Sequence, residues 1–174
     1  MKKIGIFYGP AKSRTAVVAE KIQNLLGADK ADIYPVNDVT IDTLSKYDKL
    51  IFGVSTLGSE TWDGEDNTNQ WGSIMPKLKR TNLKGKKIAL FGLGDHITYA
   101  AKFVDAIGEM ANVLQTKEAE IVGHVSRDGY TFTDSKALKD GRFVGLPLDE
   151  DYESEKTDSR IANWVEILKK TLLD

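Results

Sequence analysis

Short apolar runs alternate with longer amphipathic stretches along this chain. Residues 3–8 (KIGIFY) are apolar on both sides of the alternation, as a strand buried on both faces requires, and predict a first parallel strand. After a turn over residues 9–15, residues 15–26 place Val17, Val18, Ile22, Leu25 and Leu26 at helix-compatible spacing, with Gly27 as a natural stop. Residues 32–36 (DIYPV) predict a second strand, placed at a sheet edge by Pro35. Residues 38–47 predict a short helix or turn, and residues 49–54 (KLIFGV) a third buried strand ending at Ser55 and Thr56. A polar loop rich in Gly, Asp and Glu covers residues 57–69, and residues 70–78 predict a helix that Pro76 limits or kinks.

The stretch 90–107 (LFGLGDHITYAAKFVDAI) organises the rest. A fourth strand over residues 86–91 ends in Gly92, Leu93, Gly94 and Asp95, and a short loop carries His96 and Tyr99. A helix over residues 100–116 follows, with Phe103, Ile107 and Met110 at helix spacing. A fifth strand starts at residues 120–125. Residues 130–133 and 142–148 predict two further short strands, an inserted excursion at the sheet edge. An acidic loop then leads to a final helix, capped by Thr157 or Asp158, with Ile161, Trp164, Val165, Leu168 and Leu172 facing inward. Strands alternating with helices imply an α/β fold: a doubly wound five-stranded parallel sheet, order 2-1-3-4-5, with helices on both faces. No repeat, low-complexity segment or linker interrupts residues 1–174, so one domain is expected.

Composition narrows the chemistry. The absence of cysteine excludes disulfides, a cysteine-ligated iron–sulfur cluster, a thiolate nucleophile and a zinc–thiolate site, and fits a reducing compartment. Two histidines far apart in sequence argue against a histidine metal site. A net charge of −2 argues against broad nucleic-acid binding, and no apolar run reaches transmembrane length. The opening MKKIGIFYG has no signal-like apolar region, because it breaks at Gly9-Pro10 and Lys12 and Arg14 follow. A cytoplasmic location is the resulting expectation.

Three turns follow strands one, three and four, and in this topology all lie at the carboxyl edge, where ligands bind. The first opens a helix, whose free N–H groups and dipole favour an anion; Ser13 and Thr15 add hydroxyls, Lys12 and Arg14 positive charge. It lacks the Walker spacing. The alternative is that Ser13 only caps the helix and the two cations are solvated. In the second turn, Gly58 permits a peptide to reorient around a ligand. Trp62 either covers a ring or packs under its own loop. In the third, glycines let backbone N–H groups approach a flat polar ligand, on which the Tyr99 ring can lie; the alternative is a plain strand-to-helix turn with a half-buried tyrosine.

These residues resemble a long-chain flavodoxin over nearly the whole chain. The most specific pieces are LFGLGD with Tyr99 and FVDAIGE, and DGYTFTDSKALKDGRFVGLPLDED followed by TDSRIANWV. The second piece is similar to the insertion that splits strand five in long-chain members. Flavodoxin is itself the standing example of the 2-1-3-4-5 order, so order and resemblance are one expectation.

The resemblance implies non-covalently bound FMN. Its phosphate would meet Gly9, Pro10, Ala11, Lys12, Ser13, Arg14 and Thr15, and its ring would lie between Ser55, Thr56, Leu57, Gly58 and Ser59 on one side and Gly92, Leu93, Gly94, Asp95, His96, Tyr99 and Lys102 on the other. Tyr99 falls on the family's stacking tyrosine, Leu57 on the opposite face, and the Gly58-Ser59 peptide near flavin N5. The implied function is a low-potential one-electron carrier cycling between semiquinone and hydroquinone, with no catalytic residue. Its implied partners are redox proteins such as a flavodoxin/ferredoxin–NADP reductase or a ferredoxin-dependent reductase, and the chain is expected to be monomeric. An FMN-dependent NAD(P)H oxidoreductase and a non-redox module with a degenerate FMN site are the alternatives.

Departures from the family pattern are expected to matter. The phosphate turn keeps only Thr15 of the usual hydroxyls; Pro10 removes a hydroxyl and an N–H, while Lys12 and Arg14 add cationic contacts. His96 replaces a common glutamine beside the ring, which would make the potential pH-dependent near neutrality; the alternative is a surface histidine with no such role. Lys102 replaces a frequent asparagine. Asp149, Glu150, Asp151, Glu153 and Glu155, with Glu60, Asp63, Glu65 and Asp66, would form a negative rim that steers a basic partner; the alternative is a solvated acidic loop.

Overall fold

The computed structural model describes residues 3–55 and 70–174. Its central sheet runs β2-β1-β3-β4-β5, all parallel, from β1 (Ile4–Tyr8), β2 (Ala31–Pro35), β3 (Lys49–Ser55), β4 (Lys87–Leu93) and β5 (Glu120–Val122). Alternate strand residues feed two cores. Ile4, Ile6, Ile51, Ala89 and Phe91 pack with α1 (Arg14–Leu26) and α5 (Ser154–Leu168). Phe7, Leu50, Phe52, Val54, Ile88 and Leu90 pack with α2 (Ile41–Ser45), α3 (Trp71–Arg80) and α4 (Asp105–Thr116). Both parities are therefore apolar because both faces are covered. Pro35 closes the edge strand β2, where a missing N–H costs no ladder bond.

Strand five is split as expected. β5 pairs with Lys87–Ala89 and β9 (Leu146–Leu148) with Phe91–Leu93 of the same strand β4. Between them lies a small antiparallel sheet of β6 (Val125–Ser126), β8 (Arg142–Phe143) and β7 (Leu138–Lys139).

Several local expectations are corrected. The helix expected over residues 100–116 starts only at Asp105. The carbonyl of Ala100 accepts N–H groups of Thr133 and Asp134, and Val104 takes a left-handed φ of 48°, so tertiary contacts override helix propensity across 97–104. Residues 130–133 form no strand. Tyr130 and Phe132 instead pack on Phe103 and Phe143, and the Tyr130 hydroxyl donates to the Pro147 carbonyl at 2.8 Å. The final helix begins three residues earlier than Thr157, which is buried within it. Of the apolar positions at helix spacing in α1, Val18, Ile22 and Leu26 are buried, whereas Val17 and Leu25 are exposed. Pro76 sits inside α3.

Candidate cofactor-binding site

The parallel register aligns Tyr8 with Gly53, Ser55 with Leu93 and Leu93 with Leu148. The described segments that follow β1 and β4 therefore share one edge with the end of β3, as the sequence predicts for the turns over residues 9–15 and 92–99; the turn expected over residues 55–69 lies outside the described residues beyond Ser55. A fourth segment, 149–153, joins them.

The first turn is built around its backbone. Gly9 N–H donates to the Gly53 carbonyl at 3.2 Å, and the indole N–H of the buried Trp71 donates to that same carbonyl at 2.9 Å. Ser13 caps α1: its hydroxyl accepts from Ala16 N–H at 3.3 Å and donates to the Pro10 carbonyl at 2.6 Å. Ala11 N–H donates to the Gln70 side-chain oxygen at 2.7 Å. The N–H groups of Lys12, Ser13, Arg14 and Thr15 have no protein acceptor among the described residues. Four consecutive free donors at the start of a thirteen-residue helix are the donor set that a phosphate monoester requires.

The third turn is held by Asp95, whose carboxylate accepts from Ile97 N–H at 2.9 Å and Thr98 N–H at 2.7 Å. Burial alone would raise this carboxyl, but the bonds from Thr98 and Ile97 outweigh it and hold it below the usual range. Gly94 N–H donates to the Leu148 carbonyl at 2.9 Å. A Cβ on Gly94 would lie 3.0 Å from Val104 Cγ1, so glycine lets the turn lie flat on the buried Val104. Tyr99 is 47% exposed, and its ring has no aromatic partner among the described residues. Lys102 is exposed in the turn ahead of α4 rather than within a helix.

Asp149 ties the third turn to the fourth segment and is fully buried. One of its oxygens accepts His96 N–H at 3.0 Å and contacts the His96 ring Nδ1; the other accepts Asp151 N–H and Tyr152 N–H, each at 2.9 Å. Burial would raise the Asp149 carboxyl; these donors outweigh it and hold it below the usual range. The His96 ring meets Phe103 and Tyr152 edge-on.

With this geometry in place, comparison with known proteins is decisive. The profile of the family described as Flavodoxin matches residues 6–164. The chain belongs to the flavodoxin family. It is 41% identical to "Flavodoxin 1" of Azotobacter vinelandii over 99% of both chains, and 41% identical to the flavodoxin of Nostoc sp. PCC 7120 over 97% of this chain and 96% of that one. The crystal structure of Fusobacterium nucleatum flavodoxin bound to flavin mononucleotide superposes with a TM-score of 0.86, at 29% identity, over 98% of this chain and 99% of that one. Flavodoxins are electron-transfer flavoproteins rather than enzymes, and they pass electrons to redox partners.

Of the flavodoxin residues expected at the cofactor, Gly9 to Thr15, Ser55, Gly92 to His96, Tyr99 and Lys102 all lie at this edge. Thr56, Leu57, Gly58, Ser59 and Trp62 lie outside the described residues, as do Glu60, Asp63, Glu65 and Asp66 of the expected rim. Two expectations change. Arg14 is engaged by Asp151 at 2.7 Å, an exposed pair, so its charge is compensated within the protein. The run 149–155 is not an open acidic rim, because Asp149 is buried and Glu153 is held by Lys156 at 2.6 Å and Arg160 at 2.8 Å. Sequence reading also missed the clamp on the third turn. Phe103 N–H donates to the Asp134 carbonyl at 3.2 Å, the Ser135 hydroxyl donates to the Phe103 carbonyl at 2.5 Å, and Asp105 accepts Lys136 N–H at 2.8 Å. The polar segment DSK within the insertion is the only sequence signal for it.

No helix among the described residues is long and apolar enough to cross a membrane.

Proposed function

We propose that this chain is a one-electron carrier that holds FMN non-covalently, with the phosphate on residues 9–15. The ring lies between the third turn and the segment carrying Leu57, Gly58 and Ser59. The observation that carries the reading is the run of four unengaged N–H groups at Lys12, Ser13, Arg14 and Thr15, at the same strand edge as the half-exposed Tyr99. FMN supplies the redox chemistry when bound. The residues of the chain supply its setting. The α1 dipole and free N–H groups fix the anion, and the Tyr99 ring covers one flavin face and excludes water from it. The Gly94 and Asp95 backbone meets the polar edge of the ring. Ionised Asp95 and Asp149 place negative charge near the ring, which disfavours further negative charge there.

The same reading takes residues 1–174 as one FMN-binding domain, monomeric and cytoplasmic. Its partners are redox proteins such as a flavodoxin/ferredoxin–NADP reductase or a ferredoxin-dependent reductase. Exposed Ile97, Tyr99 and Tyr152 offer apolar contact at that edge. The test titrates the apoprotein with FMN and with riboflavin, following flavin fluorescence. Two or more charge-assisted bonds to the phosphate, each worth about 1.5 kcal/mol, put FMN at least ~100-fold ahead of riboflavin. Salt should weaken FMN more than riboflavin, because Lys12 is exposed and screened. Equal, weak binding of the two would contradict the phosphate assignment.

A further inference from the structure

The first turn is poor in side-chain donors, because Pro10 and Ala11 carry none. A side chain from another element lies against it. Gln70 immediately precedes α3 and holds a left-handed φ of 64°, a conformation few side-chain-bearing residues adopt. Its neighbour Trp71 fixes it in place. Trp71 is fully buried and donates to the Gly53 carbonyl, the acceptor that Gly9 N–H also uses. The start of the first turn and the start of α3 are thus hung from one carbonyl, and Gln70 reaches Ala11 from there at 2.7 Å.

The chemistry of that contact fixes the amide's orientation. Ala11 N–H can only donate, so the Gln70 oxygen faces it. The amide nitrogen, with two donor hydrogens, then has no partner among the described residues. It sits beside a loop whose next four N–H groups are also free. We propose that Gln70 is a phosphate-specificity residue supplied from outside the phosphate turn. Its oxygen sets the loop backbone through Ala11, and its –NH2 donates to a phosphate-monoester oxygen of the cofactor, in place of the hydroxyl absent at Pro10. The inference rests on the assignment of residues 9–15 to the phosphate.

Gln70→Glu separates the two roles, because a carboxylate can still accept Ala11 N–H but has no donor and adds charge facing the phosphate. Gln70→Ala, which removes both roles without adding charge, is the second variant. Wild type and both variants are titrated as apoproteins with FMN and with riboflavin, and near-ultraviolet circular dichroism checks that each is folded. Q70E should lose ~30-fold or more in FMN affinity and Q70A ~5-fold, each with riboflavin affinity changed by less than ~3-fold. Unchanged FMN affinity in Q70E overturns the proposal. So does a parallel loss of FMN and riboflavin, which would mean a purely structural role. Tighter FMN binding by Q70A also overturns it, since the amide would then be a competitor of the phosphate. Failure of the wild type to prefer FMN over riboflavin would instead overturn the phosphate assignment beneath it.

Discussion

Asp149→Ala is expected to destabilise the apoprotein by about 3 kcal/mol, because it strands several donors inside the protein at once. The carboxylate is fully buried and accepts three backbone N–H groups, those of His96, Asp151 and Tyr152, besides contacting the His96 ring. An unsatisfied buried donor costs roughly 1–3 kcal/mol, and water entering the vacated space relieves part of that sum. The loss also unties the third turn from the segment after β9, so FMN and riboflavin should both bind more weakly; the phosphate is not involved. The pH dependence follows from the direction of the Asp149 shift. Its folded-state carboxyl titrates below its unfolded value, so its stabilisation is fully present above about pH 4 and is lost as pH falls through the lower folded value. Urea unfolding of wild type and Asp149→Asn should therefore differ at pH 7, begin to converge only below about pH 4 and meet once the pH is below the folded value. A loss under about 1 kcal/mol for D149A at pH 7 would mean that the hub is held by other contacts.

The second large effect is expected where sequence statistics point the other way. Gly108 lies inside α4, where alanine ordinarily gains about 1 kcal/mol over glycine. A Cβ there would lie 2.2 Å from the backbone carbonyl oxygen of Lys136 and 2.7 Å from the Ala137 nitrogen. Backbone cannot swing aside as a side-chain tip can, and the segment is pinned by Asp105 and by the Ser135 hydroxyl. Overpacking of this kind costs roughly 1–3 kcal/mol or more, so the clash outweighs the propensity gain and Gly108→Ala should destabilise by about 2 kcal/mol net. Because residues 133–136 also hold Ala100, Phe103 and Asp105, flavin affinity should fall with stability. Thermal unfolding and a flavin titration of the variant check both. A more stable G108A would show that the insertion is not seated on α4 through this contact.

The sheet was legible because its strands are buried on both faces. KIGIFY, KLIFGV and the run ending in Phe91 carry their own signal and need no partner to be recognised. The split of strand five was legible through resemblance, and both halves take their register from β4. What stayed hidden depends on contacts distant in sequence. Nothing local to residues 100–104 says that the Ala100 carbonyl is taken by Thr133 and Asp134, so the helix was placed too early. Tyr130 and Phe132 alternate like strand residues, but the alternation serves an aromatic cluster with Phe103 and Phe143. Asp149 was read as part of an open rim and Arg14 as a cation for the phosphate, because His96 and Asp151, which engage them, lie more than fifty residues away in sequence. Gln70 shows the same limit, since its side chain meets a turn fifty-nine positions earlier.

The most direct test of the cofactor assignment is a pair of amide-resolved NMR titrations of the apoprotein, one with FMN and one with riboflavin. A charged phosphate accepting the free N–H groups should move the amides of Lys12, Ser13, Arg14 and Thr15 strongly downfield with FMN only. The amides of Gly94 and Asp95 should move with both ligands. If residues 12–15 stay in place while FMN binds, the phosphate lies elsewhere and the site described above is wrong.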